Sequence, residues 1–258
     1  MGLITEIQGD LFDAPEGAAL IHACNCQGSW GKGVAKDFKD KYPAAYQIFR
    51  SHCQQYLAHP QTQTHKNPIL IPGKDTAYQQ PRALKLPEGT ALIIPPQPAD
   101  YQPHSLTQLG KAPKTPPLRQ PLATRRRGRR RGRGHGTLSF PRRAAALSKL
   151  AGRKHWIICL FTSWHYGPQN RSSPDVILEN TMLALADLKR QIAADGAATY
   201  KSATAPTVDQ AEAKVEHPGE LWGCRFNAGL FGVPWEGTRK ALEEAGLAMT
   251  IVRPLPHA

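Results

Sequence analysis

Acidic residues are missing from a long stretch of this sequence, because no Asp or Glu occurs between Tyr101 and Pro174. The same stretch contains sixteen Lys and Arg, so the rest of the 258-residue chain holds 17 basic and 20 acidic residues, a net charge of −3. A protein core cannot hold so many unpaired charges, since burying each of them is costly. The formal charge of +13 therefore indicates one basic segment within a mildly acidic domain.

The basic segment also lacks hydrophobic periodicity. Its centre is TRRRGRRRGRGHG, residues 124–136, and proline-rich stretches precede it. Because prolines and like charges oppose packing, we expect residues 97–150 to form a long disordered insertion, in which 142–154 could form a short helix. A small, polar stretch at 195–218 is expected to be a second, mobile loop. The arginines could instead make a weak contact with nucleic acid or act as a nuclear-import signal.

Long apolar runs and a basic leader are absent as well. No stretch has the length needed to span a bilayer, and the start MGLITEIQGD carries Glu6 and Asp10 where a signal peptide has a basic flank. Five cysteines without a regular framework are typical of reduced thiols. We therefore expect a protein of the cytoplasm, the nucleus or both, with no membrane contact.

Strand patterns alternate with helix patterns in the remaining sequence, which predicts a three-layer α/β/α sandwich. Strands are expected at 3–8, 18–25, 90–95, 155–163, 221–226 and 248–255, and helices at 34–42, 43–57, 173–192 and 234–246.

The stretch IHACNCQGSWGKGVAKDF, residues 21–38, joins a buried strand to a helix through a loop that contains Gly28, Gly31 and Gly33. Ligands of open α/β sheets bind at the carboxyl ends of strands, and the N–H groups of such a loop suit a phosphate. The spacing lacks both the dinucleotide fingerprint and the Gly-Lys-Ser/Thr of a Walker loop. By itself, the pattern fits a phosphate site and a tight structural turn equally well.

Standard cysteine and metal motifs are missing from the same region. Cys24-x-Cys26 has no second pair to complete a zinc site. Trp30 and Lys32 stand where the Cys-x5-Arg loop of a cysteine phosphatase would carry arginine. His22 could act as a general acid or base toward a phosphate, although a buried, hydrogen-bonded histidine is the more frequent outcome. We expect no cofactor and no metal ion.

Four stretches together resemble the macrodomain family, most closely its fungal ADP-ribose 1''-phosphate phosphatases. They are ITEIQGDLF, IHACNCQGSWGKGVAKDFKDKYP, ICLFTS and FNAGLFGVPWEGTRKALEEAG, and the likeness covers residues 3–96 and 155–254. It implies a single macrodomain over 1–258 with a mixed central sheet, interrupted by the two segments named above. It also implies hydrolysis of the terminal phosphate of ADP-ribose 1''-phosphate, a by-product of tRNA splicing.

The resemblance implies that the substrate contacts three strand ends. Asp10 matches the residue that accepts from the adenine amino group, Asn25 matches an asparagine at the distal ribose, and Phe231 is expected to cover the sugar. His22 and Asn25 are the expected catalytic residues. The expected substrate-binding residues are Gly9, Asp10, Leu11, Ala23, Cys24, Asn25, Trp30, Gly31, Lys32, Gly33, Val34, Ala35, Phe226, Asn227, Ala228, Gly229, Leu230, Phe231 and Gly232.

Two positions depart from related patterns. Phe231 replaces the aspartate of the terminal ADP-ribose protein glycohydrolases, so their chemistry is not expected. Ala228 stands where the phosphatases commonly carry serine, whose loss would weaken activity if that hydroxyl touches the phosphate. The alternative function is a non-catalytic reader of ADP-ribose, held near nucleic acid or poly(ADP-ribose) by its basic insertion.

Overall fold

The structure is a computed structural model that describes residues 3–64, 82–101, 153–202 and 217–254. These residues form eight strands: β1 (Ile4–Gln8), β2 (Ala19–Asn25), β3 (Thr62–Thr64), β4 (Ala83–Lys85), β5 (Ala91–Ile94), β6 (Trp156–Ser163), β7 (Leu221–Cys224) and β8 (Met249–Arg253). They also form a short 3-10 turn at Leu11–Asp13 and five α-helices: α1 (Val34–Lys41), α2 (Pro43–Ala58), α3 (Pro98–Tyr101), α4 (Pro174–Ser202) and α5 (Trp235–Ala245).

The helix ends follow local signals. Pro43 begins α2, where its fixed φ suits the first turn and its missing N–H is not needed. Before α4, the hydroxyl of Ser173 accepts the N–H of Val176 at 3.5 Å. Gly246 ends α5 in the left-handed conformation. None of the described helices is both long enough and apolar enough to cross a membrane.

Six strands form one mixed sheet in the order β1-β8-β7-β2-β6-β5. Every pair in it is parallel except β5 with β6, which is antiparallel. The carboxyl ends of β1, β8, β7, β2 and β6 therefore lie along the same edge of the sheet, and the loops that follow them are neighbours. β3 and β4 form a separate two-stranded antiparallel sheet.

Helices cover both faces of the six-stranded sheet. Leu20 of β2 packs with Phe38 of α1 and Phe49 of α2, whereas the next residue, Ile21, packs with Leu242 of α5 on the opposite face. All five side chains are completely buried, and each buried residue of this kind contributes about 1.5–3 kcal/mol. The expected three-layer α/β/α sandwich with a mixed sheet is confirmed.

Three features differ from the sequence-based expectations. Residues 97–101, expected to begin the insertion, are folded, and Asp100 of α3 accepts the N–H groups of Ala44 and Ala45 at 2.7 and 3.0 Å. Helix α4 continues to Ser202 and so includes residues 195–202, which were expected to begin the mobile loop 195–218, because the alanines after 192 favour a helix and a single glycine costs only about 1 kcal/mol. Residues 203–216 of that expected loop lie outside the described residues. The β3–β4 pair was not expected. The remainder of the insertion, including 124–136, lies outside the described residues.

Candidate functional site

Three loops meet at the carboxyl edge of the parallel strands. The first loop (26–33) follows β2, the second loop (225–234) follows β7, and the third loop (164–173) follows β6. A Cβ built on Gly33 would lie 3.7 Å from Cδ1 of Leu230, so the first and second loops touch. Nε2 of Gln27 donates to the carbonyl oxygen of Trp164 at 3.1 Å, which joins the first loop to the third. These loops form the candidate site.

Asn25 closes the base of the first loop. Its Oδ1 accepts the N–H groups of Gln27 and Ser29 at 3.0 and 3.2 Å, and its Nδ2 donates to the carbonyl oxygen of Ser29 at 2.6 Å. An amide nitrogen has two hydrogens, so one donor remains for a ligand. The side chain thus shapes the loop, and the expected contact with a ribose stays a prediction.

The first half of the first loop packs onto α2. A Cβ on Gly28 would stand 3.3 Å from Cβ of Cys53, and its φ of +72° favours glycine. The indole of Trp30 stacks on Phe49 with ring centroids 4.8 Å apart and is 1% exposed. Gly28 and Trp30 therefore anchor the loop to the core, and Trp30 does not line an open cleft.

The second half of the first loop is open to solvent. Gly31, Lys32 and Gly33 are exposed, and α1 begins directly after them. Gly33 has a φ of +57°, which turns the chain into the helix. Backbone N–H groups here, together with the positive end of α1, suit an anion.

Asn227 holds the second loop from inside. It is the non-glycine residue with a positive φ, 65°, among the described residues, and its side chain is buried. Oδ1 accepts the hydroxyl of Thr162 at 2.9 Å, and Nδ2 donates to Thr181 at 2.9 Å and to Thr238 at 3.4 Å. The three threonines belong to β6, α4 and α5, so Asn227 ties the loop to three elements.

The other side chains of the second loop divide into two groups. Phe226 and Phe231 are buried, and Phe231 packs with Ile177 of α4 instead of standing free over a sugar site. Gly229 and Leu230 are exposed, and nothing lies within 4 Å of a Cβ built on Gly229. The open part of the loop is therefore short and presents mainly backbone.

Asp10 lies at the carboxyl end of β1. Its Oδ1 accepts the N–H of Phe12 at 3.0 Å and caps the 3-10 turn, while the residue remains exposed. The carboxylate has lone pairs left for an adenine amino group. The neighbouring Leu11 is buried, and Gly9 is half-buried. The capping contact does not exclude the adenine contact, which stays a prediction.

His22 is completely buried beneath the first loop. Its ring stacks on Phe38, with centroids 4.2 Å apart, and meets the edge of Trp30 at 5.0 Å. This enclosure favours the interpretation of His22 as a core residue. Its role as a general acid or base stays a prediction that would require the ring to become exposed.

Three potential metal ligands, on His22, Cys24 and Cys159, lie within 4.8 Å of one another. Sγ of Cys24 is 3.6 Å from Nδ1 and 3.5 Å from Nε2 of His22. Because the two distances are nearly equal, the sulfur lies along the in-plane lone pair of neither nitrogen, which is where a metal would bind. The cluster would have to rearrange before an ion could use both residues.

The cysteines near the site are enclosed. Burial and the carboxylate of Glu88 raise the pKa of Cys26 well above its ordinary value. Burial also raises the pKa of Cys24, but a hydrogen bond with Cys159 and the charge of His22 outweigh this effect and lower it. Cys24 and Cys26 are only 2% and 0% exposed, so neither sulfur can attack a ligand in the cleft.

The third loop was missed by the sequence interpretation, although β6 was predicted. One guanidinium nitrogen of Arg171 donates to the carbonyl oxygen of Leu230 at 2.5 Å. His165 stacks on the exposed ring of Tyr166, with centroids 4.3 Å apart. The signal was available, since the residues after Ser163 follow a buried parallel strand just as the first loop does.

The structure brings the expected residues to one edge but exposes only part of them. The exposed members are Asp10, Gly31, Lys32, Gly33, Gly229, Leu230 and Gly232; the half-buried ones are Gly9, Ala23, Val34, Ala35 and Ala228; the others are buried. A ligand at this edge would meet mostly backbone, with few side chains.

Two fungal relatives that match nearly the whole chain carry the same name. A protein of Ajellomyces capsulatus named "ADP-ribose 1''-phosphate phosphatase" is 62% identical over 261 residues, which are 98% of this chain and 98% of that protein. A protein of Aspergillus fumigatus with the same name is 46% identical and covers 97% of this chain and 94% of its own length. No model of a protein family matches the chain.

Solved structures with a similar course of the chain include a macrodomain of Mycobacterium tuberculosis DarG. It has a TM-score of 0.48 and 18% sequence identity, and the match covers 99% of this chain and 100% of that one.

Proposed function

The chain belongs to the ADP-ribose 1''-phosphate phosphatase family, and on that premise we propose that it hydrolyses ADP-ribose 1''-phosphate to ADP-ribose and inorganic phosphate. The observation that carries the proposal is the 62% identity to a protein of that name over 98% of both chains. Since so little of this chain lies outside the match, the proposal concerns the whole chain.

The geometry of the three loops supports a phosphate ester as the substrate. The exposed residues 31–33 present backbone N–H groups beside the positive end of α1, and Gly229 offers backbone with no side chain in the way. Donors that are already in place stabilise the charge that develops on phosphoryl oxygens during hydrolysis. The site thus favours catalysis by positioning and electrostatics.

We assign Asn25 a donor role in this reaction. Its Oδ1 already accepts two backbone N–H groups, whereas its Nδ2 retains one hydrogen. That hydrogen can bind an oxygen of the distal ribose or of its phosphate. Asp10 would accept from the adenine amino group with the carboxylate oxygen that does not cap the 3-10 turn.

For His22, the proposal is tested by replacement of the ring. His22→Phe should retain most of the turnover if the residue only packs on Phe38, because a second aromatic ring fills a similar volume. A proton-transfer role predicts instead a loss of about 10²–10⁴-fold in kcat with little change in thermal stability. Steady-state kinetics of folded His22→Phe distinguishes the two.

The proposed activity is tested directly with purified full-length protein. Incubation with ADP-ribose 1''-phosphate should release inorganic phosphate and ADP-ribose in equal amounts, and Asn25→Ala serves as the impaired control. Tight binding of the substrate without any release of phosphate would favour the non-catalytic reader. Absence of both binding and release would overturn the proposal.

A further inference from the structure

We propose that Arg171 binds the terminal phosphate of the substrate and so distinguishes ADP-ribose 1''-phosphate from ADP-ribose; this rests on the proposed function. The guanidinium of Arg171 lies against the second loop. One of its nitrogens donates to the carbonyl oxygen of Leu230 at 2.5 Å. A second guanidinium nitrogen would lie 3.1 Å from a Cβ built on Gly232, where φ is +67°. A side chain at position 232 would therefore displace the guanidinium, whereas glycine leaves room for it.

Arg171 retains most of its hydrogen-bonding capacity. Within the described residues it pairs with no carboxylate, and one of its five N–H donors is engaged with Leu230. Six other arginines of the described part lie within 4.0 Å of a carboxylate oxygen, namely Arg82, Arg153, Arg190, Arg225, Arg239 and Arg253, whereas the exposed Arg50 of α2, like Arg171, has no such partner there. Among the described residues, Arg171 is therefore a cation beside the candidate site without a carboxylate partner, and its donors have the planar arrangement that matches phosphate.

The third loop holds Arg171 in place. The N–H of Trp164 donates to the hydroxyl of Ser172 at 3.0 Å, and the N–H of Ser172 donates to the hydroxyl of Ser163 at 3.1 Å. These reciprocal contacts close the base of the loop next to Arg171. The N–H of Arg171 itself donates to the carbonyl oxygen of Gly167 at 2.9 Å. A cation held on a closed loop loses little freedom when it binds an anion.

The strand order indicates which phosphate of ADP-ribose 1''-phosphate Arg171 would contact. Asp10 follows β1 at one end of the parallel set β1-β8-β7-β2-β6, and Arg171 follows β6 at the other end. The first and second loops, after β2 and β7, lie between them. Four strand spacings amount to about 19 Å. A ligand with its adenine at Asp10 and its diphosphate against the two middle loops directs its terminal phosphate toward Arg171.

The experiment compares Arg171→Gln and Arg171→Lys with Arg190→Gln, an arginine of α4 whose side chain is 80% exposed. Initial rates give KM and kcat for ADP-ribose 1''-phosphate, and calorimetry gives the Kd for ADP-ribose, which lacks the terminal phosphate. Arg171→Gln should raise KM by about ten- to a hundredfold and change the Kd for ADP-ribose less than twofold. Arg171→Lys should lie in between, and Arg190→Gln should match the wild type.

Two results would overturn the assignment. An equal loss of affinity for both ligands would mean that Arg171 only braces the second loop through Leu230. Unchanged values for both would mean that it contacts no ligand. If the wild type binds ADP-ribose 1''-phosphate but releases no phosphate, the proposed function fails, and calorimetry with the intact ligand still tests Arg171. If the wild type binds neither ligand, the assignment fails together with the proposed function.

Discussion

The first and second loops are both rich in glycine, and an asparagine side chain holds each of them. The hydrogen-bond partners of the two asparagines lie at very different separations along the chain. Asn25 bonds to Gln27 and Ser29, two and four residues further along the chain. Asn227 bonds to three threonines, one of which is Thr162, and these lie between 11 and 65 residues away along the chain. The comparison teaches that similar loops can be stabilised locally in one case and by the assembled fold in the other.

Replacement of Asn227 should have the largest effect on stability. Asn227→Ala removes the partner of three buried threonine hydroxyls and places alanine at a positive φ, so we expect a loss of about 3 kcal/mol in the free energy of unfolding. Asn227→Gly is the matched control, because glycine relieves the backbone cost of about 1 kcal/mol but not the lost hydrogen bonds. Urea unfolding measures both. Wild-type stability of Asn227→Ala would remove the contrast between the loops.

Replacement of Asn25 should affect binding more than stability. Asn25→Ala should lose about 1–3 kcal/mol of affinity for ADP-ribose, at least tenfold at the centre of that range, because it removes a ligand donor and the contacts that shape the first loop. Asn25→Asp retains an oxygen for the N–H groups of Gln27 and Ser29 but cannot donate. Its second oxygen would face the carbonyl oxygen of Ser29, which Nδ2 of Asn25 contacts at 2.6 Å, so we expect Asn25→Asp to recover at most part of the stability and none of the affinity. Calorimetry that finds wild-type affinity in Asn25→Ala contradicts the assignment.

Replacement of Asp10 should have a smaller effect. Its side chain combines a local capping contact with a proposed ligand contact. Asp10→Ala should cost about 1 kcal/mol of stability through the lost cap on Phe12 and should reduce the preference for ADP-ribose over its inosine analogue. Asp10→Ser can still cap and should lose only the preference. Binding of the two nucleotides is compared by calorimetry. A full preference in both variants would leave Asp10 as a cap alone.

Removal of the basic segment should have the smallest effect on the folded part. A Gly/Ser linker in place of 102–150 should leave thermal stability and ADP-ribose affinity unchanged, and should abolish any salt-sensitive binding to RNA or DNA. A longer replacement of 97–150 removes Asp100, which caps α2 through Ala44 and Ala45, and should destabilise by about 1 kcal/mol. The two variants are compared by thermal unfolding, calorimetry and nucleic-acid binding at two salt concentrations. Loss of ADP-ribose binding in the shorter replacement would place the segment within the functional domain.

Much of the fold was predictable from the sequence. Apolar runs at 18–25 and 155–163 predicted β2 and β6 within one residue, because a strand covered on both faces must be apolar along its length. Pro43 and Gly246 marked a helix start and a helix end through their backbone preferences. The edge of the sheet at which the expected site residues lie was predictable too, since ligands of such sheets bind where parallel strands end.

Contacts between residues that are distant in the sequence could not be predicted in the same way. Asp100 lies 55 and 56 residues from the N–H groups that it accepts, and its own neighbourhood is rich in proline. The β3–β4 pair is short and exposed except for Leu84, so it carries almost no hydrophobic pattern. Arg171 follows a predicted strand, but its approach to Leu230 depends on where the second loop lies.

By itself, the sequence determined the alternation of strands and helices, the edge at which the loops meet and the glycines that turn the chain, because these depend on neighbouring residues and on local backbone preferences. The tertiary structure alone decided that His22 and Phe231 are enclosed, that Asn227 binds threonines of three elements, and that Arg171 reaches the second loop. The reason is physical: burial and long-range hydrogen bonds depend on which faces meet, and that is settled only when the layers pack.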